Sequence, residues 1–200
     1  AYGDSATATS QTAGGDVAGA GMSSPAAITS FLSTVNQGEV QAGELAQDKA
    51  TNAQVKEYAR MIATDHARLQ NEMGASNTTT DSAAAGQMVA DLHAKHQQLM
   101  TTLQNTPKGR GFDSTFVAAM VTGHQDALQR LDQMRSGVSN STGATTGDTS
   151  ARTGATGTTQ PAGSQTAGTL QANVESARQV IQRHLERGQE LQRTMGGAGR

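Results

Sequence analysis

Between Asp113 and Arg135 the apolar residues fall at Val117, Met120, Val121, Leu128 and Leu131, the spacing of one face of a helix. His124 stands in the middle of that face, where a bundle helix would normally carry Leu or Ala. Three other segments repeat the arrangement. The first opens at Ser24-Pro25, a good N-cap followed by a residue suited to the first helical position. Its stripe is Ile28, Phe31, Leu32, Val35, Ala42, Leu45 and Ala46, with Glu39 between Val35 and Ala42. The second opens on Thr51-Asn52-Ala53-Gln54, which has the form of a capping box. It continues through Val55, Ala59, Ile62, Leu69 and Met73, with His66 in mid-stripe and Gly74 as its stop. The last resumes near Leu170 and carries Val174, Ala177, Ile181, Leu185, Leu191 and Met195 around His184, before Gly196-Gly197.

A shorter helix is predicted between the second and third of these. Met88, Leu92, Leu99 and Leu103 mark it, and Pro107 and Gly109 end it. Phe112 before Asp113 and Val117 after it have the positions of a hydrophobic staple, so the next helix is expected to open at Asp113 and to close at Gly137. Only a few residues separate the first two helices, which makes them antiparallel neighbours. The expectation is an all-α four-helix bundle with one extra short helix. Its parts are an N-terminal arm over 1–23, helices over 24–137, an insert over 138–169, and a closing helix over 170–196. Arm and insert are rich in Gly, Thr, Ser and Ala and carry no apolar period.

Composition sharpens this division. The apolar fraction is 34%, with no Trp, two Tyr and three Phe. The deficit lies in the arm and the insert, which cannot bury enough surface to offset chain entropy. A net charge of −2, with Arg and Asp scattered along the chain, offers no basic face for nucleic acid. Cysteine is absent, which excludes disulfides, thiol catalysis and cysteine metal sites. No apolar run approaches the ~20 residues needed to span a bilayer. The chain starts at Ala1 with a Thr/Ser/Gly/Ala-rich stretch, so the expected location is periplasmic or extracellular, with a leader already removed.

Glu39, His66, His124 and His184 therefore each occupy an apolar-stripe position, one per main helix. Glu39 precedes Thr51 by 12 residues and His66 follows it by 15. At ~1.5 Å per residue both lie roughly 20 Å from that turn. Four inward side chains at one level of a bundle form a polar layer. Neutral imidazole and carboxylate suit Zn²⁺, Fe²⁺, Cu²⁺ or Mn²⁺, so the layer is a candidate site for a single divalent transition metal. Asp65 is placed to orient a ligand histidine from behind. The competing reading is a buried hydrogen-bond network without metal, which would satisfy the same groups. His93 and His96 lie three apart on the short helix, have no evident third ligand, and read as exposed structural residues. The eight Met read as core filler. No nucleophile elbow, phosphate loop or HExxH motif occurs.

The stretches FLSTVNQGEVQAGELAQDKATNAQVKEYARMIATDHARLQNEM, GRGFDSTFVAAMVTGHQDALQRLD and IQRHLERGQEL resemble, in that order, the DUF4142 family. The resemblance runs from Ser30 to Leu191, apart from most of the insert. Glu39, Asp65-His66, Phe112-Asp113, His124 and His184 match its pattern. It implies an exported bacterial protein with a ferritin-like helical bundle and no settled biochemical function. The chain departs from a ferritin-type dinuclear site, which needs Glu-x-x-His on two helices. The residues three before His66, His124 and His184 are Ala63, Val121 and Ile181, so ferroxidase or oxygenase chemistry of that kind is not supported. The long insert is also unusual for the family.

Two functions of different class follow. The first is non-enzymatic: an extracytoplasmic structural or interaction module that self-associates, or binds an envelope component, through its polar segments. The second is a metal-binding bundle using the Glu39/His66/His124/His184 layer.

Overall fold

A computed structural model describes residues 24–74, 83–143 and 162–197. These form five helices: α1 (Pro25–Lys49), α2 (Ala53–Met73), α3 (Ala83–Asn105), α4 (Arg110–Gly143) and α5 (Ala162–Gly197). No strand occurs among the described residues. The expected all-α bundle is what the chain forms. The arm at 1–23 and most of the insert, on which self-association was expected to rest, lie outside the described residues.

The helix ends differ from expectation in ways that have local causes. Ser24 caps α1 as predicted, its side chain accepting from Ala27 N at 3.1 Å, with Pro25 in the first turn. The capping box of α2 does not form. Asn52 is the N-cap, its Oδ1 accepting from Gln54 N at 2.8 Å and from Val55 N at 3.3 Å. Thr51 turns away because Asp113 claims it. One carboxylate oxygen accepts from Thr51 N at 2.9 Å, and the other accepts from Thr51 Oγ1 at 2.8 Å and Asn52 N at 2.9 Å. Asp113 is accordingly not a cap of its own helix. It sits in the first turn of α4, almost fully buried, and ties that turn to the α1–α2 corner.

Helix α3 is not short, since it already begins in the Ala-rich stretch before Met88. Gly137 does not end α4, and α5 starts before Leu170, so both helices run into the segment expected to be an insert. A single Gly inside a helix costs only about 1 kcal/mol relative to Ala, too little to stop a helix already packed along its length.

α1 packs along α2 and α4 along α5, while α2 lies beside α5. α3 runs along α1, with lighter packing against α4. Lys49 holds α3's end, its Nζ donating to Leu103 O at 2.7 Å and to Gln104 O at 2.6 Å, two carbonyls with no partner inside their helix. Gly43 permits the close α1–α2 approach, because a Cβ there would lie 2.7 Å from the Ala59 carbonyl oxygen.

The core has two parts. One holds Tyr58, Ile62, Phe112, Phe116, Met120 and Leu191, near the α1–α2 corner. The other holds Phe31, Leu32, Leu69, Leu131, Val180 and Ile181, toward the opposite end. Along each of α1, α2, α4 and α5 the position that falls between the two parts is the one carrying Glu39, His66, His124 or His184.

Candidate metal centre

The period of 3.6 residues points His66, His124 and His184 inward from α2, α4 and α5. All three are buried: His66 and His184 are 0% exposed and His124 is 2% exposed. One ring nitrogen of each lies within 4.8 Å of one from each of the others. Ring centroids are 5.8 Å apart for His66–His124, 5.2 Å for His66–His184 and 5.3 Å for His124–His184.

The outer partners decide which nitrogen of each ring carries the proton. His124 Nδ1 lies 2.6 Å from the Met120 carbonyl oxygen, which can only accept, so Nδ1 donates. His184 Nε2 lies 3.0 Å from Asp65 Oδ2 and donates to that carboxylate. His66 Nδ1 lies 2.9 Å from Asn36 Oδ1. Asn36 turns its Nδ2 the other way, toward Met73 Sδ at 4.0 Å, so His66 Nδ1 is a donor as well. The three neutral rings then hold their lone pairs on His66 Nε2, His124 Nε2 and His184 Nδ1.

Those three atoms are left without donors. His66 Nε2 is buried and makes no hydrogen bond. His124 Nε2 and His184 Nδ1 face each other at 3.3 Å, lone pair to lone pair. That contact is unfavourable unless a positive charge lies between the atoms. A proton is one candidate, and burial resists it on His66 and on His184. Burial pushes the His66 ring well below the usual histidine range, and charge on His124 or His184 would push it further. Burial and the neighbouring His124 bring His184 down to about 4, against an opposing pull from Asp65. A metal ion is the other candidate, and the 3.3 Å between His124 Nε2 and His184 Nδ1 suits it, with a nitrogen of His66 within 4.8 Å of both rings. Zinc–imidazole bonds of about 2.0–2.1 Å in a tetrahedral set place ligand nitrogens about 3.3–3.4 Å apart.

Glu39 does not join this mutually close set. It is half-buried, with Oε2 shut off from solvent and without a hydrogen-bond partner. Burial raises its carboxyl above the usual range, and His124 is the ionisable group that pulls it back. Asp65 stands behind a histidine of the layer, but the ring it holds is His184 across the bundle, not the adjacent His66. Tyr58 closes the layer on the side of the α1–α2 corner, its hydroxyl donating to the His184 carbonyl at 2.9 Å. Burial and Glu39 push that phenol upward, so it stays protonated. His93 is exposed, and His96 pairs with Gln41 Oε1 through Nε2 at 3.0 Å, outside the three-histidine set but in the wall of the same cleft as Glu39.

Sequence reasoning missed Asn36, which is 1% exposed and fixes the His66 tautomer. A signal for it existed: Asn36 lies four residues after Leu32 and three before Glu39, on the face that carries both.

The model of one family, described as a domain of unknown function (DUF4142), matches residues 7–143. The chain belongs to the DUF4142 family. The matched stretch holds α1 to α4, and with them Glu39, Asp65, His66 and His124; α5 and His184 follow it. No curated protein and no solved structure matches the chain. The third imidazole of this DUF4142 protein therefore comes from beyond the matched residues, and the packing of α5 against α2 and α4 brings it in. Among the described residues no helix is long and apolar enough to cross a membrane.

Proposed function

We propose that this DUF4142 protein binds one divalent transition metal ion at the centre of its bundle, through His66 Nε2, His124 Nε2 and His184 Nδ1. The observation that carries the reading is the set of three buried, donor-free nitrogens, each in a ring whose other nitrogen is engaged by an outer acceptor. A hydrogen-bond network without metal would pair such atoms with one another or with donors. Here the outer acceptors Asn36, Met120 and Asp65 take up all three ring protons. Histidines held by a carboxylate or carbonyl on the far side are the usual surroundings of a bound metal. Three imidazoles suit zinc, copper, nickel or iron(II), and leave a fourth position in a tetrahedral set. Charge supports the same reading, since a divalent ion among neutral rings brings two positive charges, and Asp65, 3.0 Å from His184, and Glu39 are acidic groups beside the layer. What is proposed is binding, and no reaction is assigned to the centre.

Elemental analysis of protein purified without chelator or affinity tag tests it. One equivalent of metal per chain is expected, and it is absent from the His66→Ala/His124→Ala variant. Metal-free wild type that takes up no zinc at micromolar concentration would leave the layer as a purely structural network.

A further inference from the structure

The three imidazoles come from α2, α4 and α5. Of the four main helices only α1 supplies none, which leaves the α1 side of the three rings for a fourth ligand. At this level α1 presents Asn36, whose Oδ1 is engaged by His66, and Glu39, with Oε2 unpartnered. Glu39 has a second neighbourhood. It forms part of the wall of a cleft between α1, α3 and α4, of about 130 Å³, lined also by Gly38, Leu92, Leu99, Gly123 and Ala127. At about 30 Å³ per water, that is room for a few waters or one triatomic ion.

Gly123 is the informative residue in this wall. A glycine inside a helix weakens it relative to alanine. At Gly43 and Gly188 the packing supplies a reason, since a Cβ would lie 2.7 Å from a neighbouring atom, whereas at Gly111 and Gly168, away from the layer, a Cβ would meet nothing within 4 Å. At Gly123 a Cβ would meet only Glu39 Oε1, at 3.7 Å, an ordinary contact. Packing therefore does not require glycine there. What its missing side chain provides is open space beside the Glu39 carboxylate, one residue from His124.

We infer that the α1/α3/α4 cleft is the passage by which a small monodentate ligand, water or a triatomic anion, reaches the open position of the bound metal, with Gly123 keeping its inner end clear and Glu39 accepting a hydrogen bond from a protic ligand there. This rests on the metal-binding reading above, and makes the centre an open one and not a closed structural site.

The test uses the full chain loaded with cobalt(II), whose visible spectrum reports coordination, and azide as the probe. Azide is expected to shift the wild-type spectrum saturably. Gly123→Val should keep one cobalt per chain and the same starting spectrum, while azide binds at least ten-fold more slowly. Leu92→Ala, which widens the passage, should bind it faster. Gly123→Ala introduces only a methyl at ordinary contact distance and decides the matter if the valine variant fails to fold. It should melt higher than wild type and still bind azide more slowly. Cobalt bound with no response to azide overturns the open site and leaves metal binding standing. An azide rate unchanged in both Gly123 variants overturns the passage. Failure to bind cobalt at all overturns the metal reading and this inference together.

Discussion

At the scale of single residues, the arrangement behind each histidine matters as much as the histidine. Asp65 accepts from His184 Nε2 and so keeps the lone pair on Nδ1, facing His124. Arg183 lies 3.6 Å from the same carboxylate oxygen and shares its charge. Asp65→Asn keeps the shape and removes that charge. Losses of outer-shell partners typically cost 10–100-fold in metal affinity, so zinc binding measured by competition with a chromophoric chelator should weaken by about that factor, while far-ultraviolet circular dichroism stays unchanged. A variant that binds zinc as tightly as wild type would remove Asp65 from the centre. The histidines were legible in the sequence because each is the one polar residue in an otherwise apolar stripe. Asp65 was legible by adjacency to His66, although its actual partner is on another helix. Asn36 had a positional signal but an ambiguous one, because Val35 beside it fits the stripe equally well. The tautomers could not be read at all, since they depend on which acceptors the fold brings behind each ring.

At the scale of elements, two contacts outside the layer hold the helices in register for it. Asp113 answers three donors at the α1–α2 corner, two of them backbone amides that would otherwise lack partners. Leaving partly buried donors unsatisfied costs about 1–3 kcal/mol each. Asp113→Ala is expected to lower the unfolding free energy by about 2–4 kcal/mol, read from chemical denaturation, with the midpoint shifting and the slope unchanged. Tyr58 crosses from α2 to the His184 carbonyl, and Gly188 makes room for it: a Cβ there would lie 2.7 Å from Tyr58 Oη and 2.8 Å from Val121 Cγ2. Gly188→Ala should therefore destabilise by about 1–3 kcal/mol, the usual range for overpacking, even though alanine is the better helix former. An increase in melting temperature would show that α5 can shift without penalty. Helix existence was legible from periodicity throughout. Helix ends were not, where α3, α4 and α5 run into Ala-, Ser-, Thr- and Gln-containing stretches. Such residues give no burial signal, yet a packed helix extends through them at little cost because propagation needs no new nucleus.

At the scale of the whole molecule, the polar layer makes stability depend on pH and on metal together. In metal-free protein the His66 and His184 rings are held neutral by burial, with their proton affinities lowered in the fold. A base whose folded value lies below its unfolded value of about 6.5 contributes stability that is present above 6.5 and lost as pH falls toward the folded value. In that window the unfolded chain binds protons that the native chain refuses. Each such histidine tilts the unfolding free energy by about 1.4 kcal/mol per pH unit. For His184 the window runs from about 6.5 down to about 4. Glu39 works in the opposite sense. Its raised value makes its contribution fullest below its ordinary 4.5 and lost as pH rises through the folded value, so ionising this carboxyl inside the fold opposes folding. A bound divalent cation offsets the cost of the carboxylate charge, and by occupying the three lone pairs it makes the imidazoles refuse protons still more strongly. Chelated protein should therefore lose melting temperature steeply from about pH 6.5 to 5. Zinc-saturated protein should melt higher at pH 7, by about 2.7 kcal/mol of added stability when free zinc is a hundred times its dissociation constant. That gain should shrink as pH falls, since protons and metal compete for the same three nitrogens. Differential scanning calorimetry at several pH values, with and without zinc, measures all of this. Curves that coincide with and without metal at pH 7 would contradict the metal centre, and a metal-free melting temperature indifferent to pH between 6.5 and 5 would contradict the neutral histidine layer on which it is built.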